Sequence, residues 1–234
     1  MLFKIRQFIK RMQVGELKPL GKDISRDELT ISICDRNKEI AKVFAQVFAE
    51  ERRVEILCGN ILHLSADALV SPANSFGDMG GGLDKAIDDF FQGEAQRKVQ
   101  QHIQSEFFGE LPVGVASILE MNYKQFPFLI IAPTMRIPGN VGKTINAYLA
   151  MRAVLTVVIK HNDVAKEPIR HVAVSSLCTG VGGMPFTEAA EQMLTAIANI
   201  LDARYKTVIH PAIAPYALGA KWTLPEKRNT FKAE

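Results

Sequence analysis

Short apolar runs alternate along this chain with longer stretches whose apolar residues recur at helical spacing, and few architectures accommodate that order. Parallel strands need a crossover between them, usually a helix, so repeated alternation implies a largely parallel or mixed sheet with helices on both faces. Residues 29–34 (LTISIC) read as a strand of alternating β-branched and smaller side chains. Asn37 is placed to cap a helix carrying Ile40, Val43, Phe44, Val47 and Phe48 on one face. Residues 54–58 and 67–71 predict buried strands, and residues 83–106 a helix with a break at Gly93. The pair 115–120 and 126–132 follows, joined near Asn122. Thr144 is expected to cap a dense apolar helix, after which come strand 169–175, helix 187–203 and a last strand 207–210.

The 234 residues are 47% apolar and 23% charged, which excludes a disordered or low-complexity design over most of the chain. No apolar run approaches the roughly 18 residues of a membrane span, and Lys4, Arg6, Lys10 and Arg11 interrupt the one segment that could pass for a secretory signal. Cys34, Cys58 and Cys178 form no CxxC pair and leave one over, so neither a disulfide scaffold nor a zinc ribbon is expected, and a reducing cytoplasm is the default. The formal charge of +3 is uneven. Lys4, Arg6, Lys10, Arg11, Lys18 and Lys22 stand against Glu16 in residues 1–22, so the remainder is slightly acidic and shows no nucleic-acid footprint. The leader also has Leu2, Ile5, Ile9 and Met12 at helical spacing. It can pack on the domain, dock on a partner or attach to a surface.

Two glycine-rich stretches each run from a strand into a helix: SPANSFGDMGGGLD at 71–84 and CTGVGGMP at 178–185. In open α/β sheets ligands bind at the carboxyl ends of strands, and exposed backbone N–H groups at helix N-termini favour phosphate. One such loop reads equally well as a tight turn; two in one domain point to a diphosphate. Familiar nucleotide motifs fail: a GxGxxG beginning at Gly80 or Gly180 meets Lys85 or Pro185 at its last glycine. IPGNVGKT resembles a P-loop ending but has Ile137 where the first glycine belongs, and Gly142–Lys143–Thr144 is read as a loop and cap. GxSxG and HExxH are absent and the five histidines are scattered, so no metal site and no cofactor are expected.

The segment CGNILHLSADALVSPANSFGDMGGGLDKAI, followed by CTGVGGMPFTEAAEQM, resembles the macrodomain family of ADP-ribose-binding modules over roughly residues 54–210. The resemblance implies a three-layer α/β/α fold with a mixed central sheet. The division expected is a basic extension 1–22, a macrodomain 23–212 and a tail 213–234 packing on it, with Ile213 or Tyr216 near the base. It implies further that Asn60 and Ile61 meet the adenine, and that backbone N–H groups of Gly80, Gly81, Gly82, Cys178, Thr179, Gly180, Val181, Gly182 and Gly183 hold the diphosphate. Asn74 and Asp84, ten positions apart, match the pair that lies at the distal ribose of hydrolytic members. Asn74 is expected to hold the ribose hydroxyls and Asp84 to orient a water for attack at C1″. The implied partner is ADP-ribose or an ADP-ribosylated protein.

Several positions depart from the family pattern, Pro72 beside Ser71 among them. Asn60 replaces an acid, so its bond to the base lacks charge assistance. Ser71 replaces the first Asn of NAAN. Gly182 replaces an aromatic, which is expected to open the site over the distal ribose. Cys178 is expected to pack as a small apolar residue. The leading expectation is a hydrolase that removes ADP-ribose from acidic side chains. A non-catalytic reader or nucleotide-signal sensor, and a partner-binding scaffold with a vestigial pocket, are the alternatives.

Overall fold

The computed structural model describes residues 29–207. The expectations for the leader 1–22, for the tail and for the strand at 207–210 lie outside that range, except that Thr207 ends a short 3-10 turn, Arg204–Thr207. The strands are β1 (Thr30–Asp35), β2 (Val54–Cys58), β3 (Ala68–Ser71), β4 (Ser117–Glu120), β5 (Phe128–Ile131) and β6 (His171–Val174). They lie in the order β2-β1-β6-β3-β5-β4. All neighbours are parallel except the antiparallel pair of β4 and β5.

The helices are α1 (Lys38–Val47), α2 (Gly82–Phe90), α3 (Glu94–Phe107), α4 (Asn146–Asn162) and α5 (Phe186–Leu201). Period-two alternation divides the strand side chains between two cores. Ile31, Ile33, Val70, Ile130, Val172 and Val174 pack with Phe44 of α1, Met151 of α4 and Met193 of α5. Leu69, Leu129, Ile131 and Ala173 pack on the other face with Ile87 of α2 and Val99 and Ile103 of α3. The result is an α/β/α sandwich whose sheet is covered on both sides, which is why its strands read as nearly continuous apolar runs.

Local chemistry sets the element ends. Asn37 begins α1, its Oδ1 accepting from the N–H of Glu39 at 2.9 Å and of Ile40 at 3.5 Å. The expected break at Gly93 separates α2 from α3. Thr144 is one position early as a cap: Ile145 occupies that place, while Thr144 Oγ1 donates to the Val141 carbonyl and accepts from Asn146 N–H. The hydroxyl therefore ties the loop before α4 to the first N–H of the helix.

Candidate functional site

A cleft of about 730 Å³ runs along the carboxyl edge of the sheet. Its walls follow the strand order: the turn Gly59–Ile61 after β2, Asp35 at the end of β1 with Arg36 after it, residues from the stretch 175–182 after β6, residues from the stretch 72–84 after β3, and Thr134, Met135 and Pro138 after β5. Three strand spacings separate the turn after β2 from the loop after β3. At about 4.8 Å each they span roughly 14 Å, room for a base, a sugar, a diphosphate and a second sugar in sequence.

At the β3 end, Ser71 closes the strand and its buried Oγ donates to Asp84 Oδ1 at 2.6 Å. Asp84 lies in the first turn of α2. Burial pushes its carboxyl up to about 6, with the Ser71 hydroxyl and the Ala73 N–H pulling the other way and the nearby Asp78 adding to the rise. Asn74 is buried beside it, yet its carboxamide is turned onto its own loop. Oδ1 accepts from the N–H of Phe76 at 3.0 Å and of Asp78 at 3.3 Å, and Nδ2 donates to the Asp78 carbonyl at 2.8 Å. The expected contact to ribose hydroxyls is thus narrowed to one remaining N–H, and the shape of loop 74–78 rests on this side chain.

The two glycine loops face each other across the middle. Gly80 N–H donates to Asp78 Oδ1 at 3.0 Å, leaving Gly81 and Gly82 N–H without an acceptor among the described residues. Gly82 has φ +58°, which suits glycine, and a Cβ at Gly81 would meet nothing within 4 Å. α2 has no side-chain cap bond, so its first N–H groups stay without a side-chain acceptor, on residues that line the cleft. In the second loop Gly183 N–H donates to the Gly180 carbonyl and Thr179 N–H reaches the Ser176 carbonyl. Those of Gly180, Val181 and Gly182 have no acceptor among the described residues. This arrangement can surround an anion with backbone donors.

Two expectations about this second loop need correction. Gly183 does not line the cleft. Gly182 is not an opening left by a missing ring: a Cβ there would lie 2.5 Å from the Cys178 carbonyl and 2.8 Å from Val141 Cγ2. The loop before α4 fills that space, and Val141 N–H donates to the Gly182 carbonyl at 2.8 Å. Val181, 68% exposed, is the side chain presented at the mouth. Cys178 is buried, and burial pushes its thiol up to about 12, consistent with a packing role.

At the β2 end the walls are Cys34, Ile40 and Ile61 with Asn60. Asn60 caps the 3-10 turn Ile61–His63, its Oδ1 accepting from Leu62 N–H at 3.3 Å. Beside it Asp35 accepts from Asn37 N–H at 2.8 Å and from the Ser176 hydroxyl, which is also bonded to Thr179 Oγ1. That network ties the end of β1 to the second glycine loop. Of the described residues lining the cleft, Arg36 is the one basic side chain, against the carboxylates of Asp35, Asp78 and Asp84.

Sequence reasoning missed Asp35, Arg36, Asp78, Thr134, Met135 and Pro138. All lie at the carboxyl end of a strand or in the loop that follows it, so the strand-end rule that picked out the glycine loops reaches them once the sheet order is known. Among the described residues no group of three or more His, Cys, Asp or Glu could hold a metal ion, and no helix is long and apolar enough to cross a membrane.

Residues 70–193, more than half of the chain, match the sequence model of the Macro domain. An uncharacterized protein of Aquifex aeolicus is 32% identical over 144 residues, 62% of this chain and 80% of that protein. One from Aeropyrum pernix is 31% identical over 163 residues, 68% and 77% respectively. The Oceanobacillus iheyensis macrodomain solved with ADP superposes with a TM-score of 0.53 at 25% identity, covering 62% of this chain and 74% of that one. The macrodomain of Mycobacterium tuberculosis DarG shares the fold at TM-score 0.50 and 21% identity, over 62% and 89%. A matching sequence model, relatives covered over most of their length and the same layered sheet agree: the chain belongs to the macrodomain family.

Proposed function

We propose that the cleft binds an ADP-ribose group and hydrolyses it from acidic side chains of proteins. The observation that carries this reading is Asp84: a half-buried carboxyl with an elevated pKa, held by Ser71 and standing beside backbone N–H groups that lack acceptors. The diphosphate lies between Gly81–Gly82 and Gly180–Gly182, with Arg36 offsetting part of its charge. The base lies toward Asn60 and Ile61, and the distal ribose toward Asn74 and Asp84. The ADP bound in the Oceanobacillus iheyensis macrodomain supports a nucleoside diphosphate in a cleft of this fold.

In the reaction, Asp84 orients a water and accepts its proton as the water oxygen bonds to C1″. The bond from C1″ to the ester oxygen breaks, and the protein side chain leaves as a carboxylate. The products are ADP-ribose and the restored Asp or Glu, with no redox partner required. General-base help of this kind contributes about 10²–10⁴ in rate, and fixing the sugar and the water supplies more.

A reader that binds without turnover is the second reading, favoured by the commitment of the Asn74 carboxamide to its own loop. Release of ADP-ribose from a protein mono-ADP-ribosylated on Glu separates the two. Native protein is expected to turn over repeatedly, and Asp84→Ala to lose about 10²–10⁴ in rate while still binding ADP-ribose. Undiminished turnover in Asp84→Ala rejects the mechanism. No turnover by native protein that binds ADP-ribose leaves the reader.

A further inference from the structure

The loops that wall the sugar end of the cleft carry apolar side chains on their outer crests. Phe76, 40% exposed, stands between Asn74 and Asp78, and Ile137, 61% exposed, stands between Met135 and Pro138. The flanking residues line the cleft, whereas Phe76 and Ile137 do not. Val181 completes the rim from the loop after β6. These crests are fixed to one another. Asn74 bridges to Met135, Ser75 N–H donates to the carbonyls of Met135 and Arg136, and Val141 N–H donates to that of Gly182. The Arg136 guanidinium lies 5.5 Å from the centre of the Phe76 ring and donates twice to the Glu110 carboxylate, at 2.6 and 2.9 Å. Glu110 thus balances the charge of Arg136, and the nearby Asp78 and Asp84 are acids, so these groups together repel an acidic neighbour. Exposed apolar side chains gathered at one place mark a contact surface, and rigidly held aromatic and arginine side chains are common anchors of one.

We infer that the rim of Phe76, Ile137 and Val181 docks the polypeptide on either side of the ADP-ribosylated residue and selects flanks with aliphatic or aromatic side chains. The inference rests on the reading above, which puts the distal ribose toward Asn74 and Asp84, and adds which protein sequences reach it. Connectivity identifies the occupant. Whatever is bonded to C1″ leaves the cleft at its sugar end and crosses this rim. The side chain of a modified Asp or Glu is only a few bonds long, so its neighbours in the chain come down on the crests. Contact there removes apolar surface of both partners from water. It costs little ordering on this side, because the three loops are already tied together. Acidic flanks meet Asp78 and are disfavoured.

The test uses two peptides mono-ADP-ribosylated on a single Glu, one with Leu on both sides of it and one with Ser, and free ADP-ribose as the reference ligand. The full chain is measured as native protein and as Phe76→Ser, Ile137→Ser and Val164→Ser. Val164 is the control, an exposed apolar residue just after α4, whose last residue Asn162 bonds Ile169 before β6, away from the cleft. Thermal melts check that each variant folds, and Ile137, the more exposed of the two rim residues, serves alone if Phe76→Ser does not. Selectivity is the ratio of kcat/KM for the two peptides where the protein turns them over, and of Kd where it only binds them. Native protein is expected to favour the Leu-flanked peptide roughly 10-fold, the scale of burying one apolar side chain. Phe76→Ser and Ile137→Ser are expected to lose most of that preference while binding free ADP-ribose as native protein does, and Val164→Ser to keep it. Equal treatment of the peptides by native protein, or a preference unchanged in both rim variants, overturns the inference. So does a loss of ADP-ribose affinity that matches the loss for the peptides, and each of these leaves the ADP-ribose reading intact. Native protein that binds neither ADP-ribose nor the peptides overturns the reading of the cleft itself, and this inference with it.

Discussion

The two glycine loops serve one cleft but use glycine for different physical reasons. After β3 the loop is open: Gly81 has nothing within 4 Å of a hypothetical Cβ, and Gly82 takes a left-handed φ of +58° to start α2. After β6 the loop is clamped: Gly182 is pressed between the Cys178 carbonyl and Val141, and its own carbonyl accepts from Val141 N–H. One loop lacks side chains so that a ligand can approach its backbone; the other lacks one so that a neighbouring loop can. A run of glycines in sequence does not distinguish access from packing, and the two respond differently to the same methyl group.

Gly182→Ala breaks the comparison most severely. Its Cβ would sit 2.5 Å from a backbone oxygen, so the loop must move, with a loss of about 1–3 kcal/mol in stability. Denaturant melts and titration with ADP-ribose should both register the change. Gly81→Ala is the contrasting case. Stability should fall by no more than about 1 kcal/mol, the difference between caps, whereas a methyl beside the diphosphate should weaken ligand binding by roughly 10-fold, about 1.4 kcal/mol. If Gly81→Ala unfolds the protein while Gly182→Ala leaves it unchanged, the assignment of the two loops is reversed.

The smallest expected effect is Ser71→Ala, read as a pH profile. Asp84 must be ionised to accept a proton, so turnover should rise through about pH 6 and level off above it. The Ser71 hydroxyl stabilises the charged carboxylate, so its removal should move that limb to higher pH, with little change on the plateau. The stability linkage has the opposite sense. Because the folded carboxyl holds its proton more tightly than an ordinary Asp, its contribution to stability is present in acid and declines as pH rises through about 6. An activity limb that stays in place in Ser71→Ala would remove Asp84 as the titrating group.

Much of this was legible in the chain. The cap at Asn37, the strands at 54–58 and 68–71, the break at Gly93 and both strand-to-helix loops follow from local chemistry, which sequence displays directly. The wall supplied by Thr134, Met135 and Pro138 was hidden because it depends on long-range pairing: Asn74 bridges to Met135, and Ser75 N–H reaches the carbonyls of Met135 and Arg136. IPGNVGKT could be rejected as a P-loop from its residues alone, but its place against Gly182 could not be read without β5 beside β3. Arg36 was hidden for a similar reason, since β1 enters the middle of the sheet between β2 and β6. Asn74 lines the cleft, and which way its amide turns is a matter of loop geometry.

The proposed function requires both loops to grip one diphosphate that joins a base-binding end to a sugar-binding end. Titration of native protein with ADP-ribose, against AMP and ribose 5-phosphate, tests it directly. A dissociation constant of about micromolar, roughly −8 kcal/mol, for ADP-ribose, with much weaker binding of either fragment, is the predicted result. Fragments that bind as tightly as ADP-ribose, or no binding of any of the three at millimolar concentration, would contradict it.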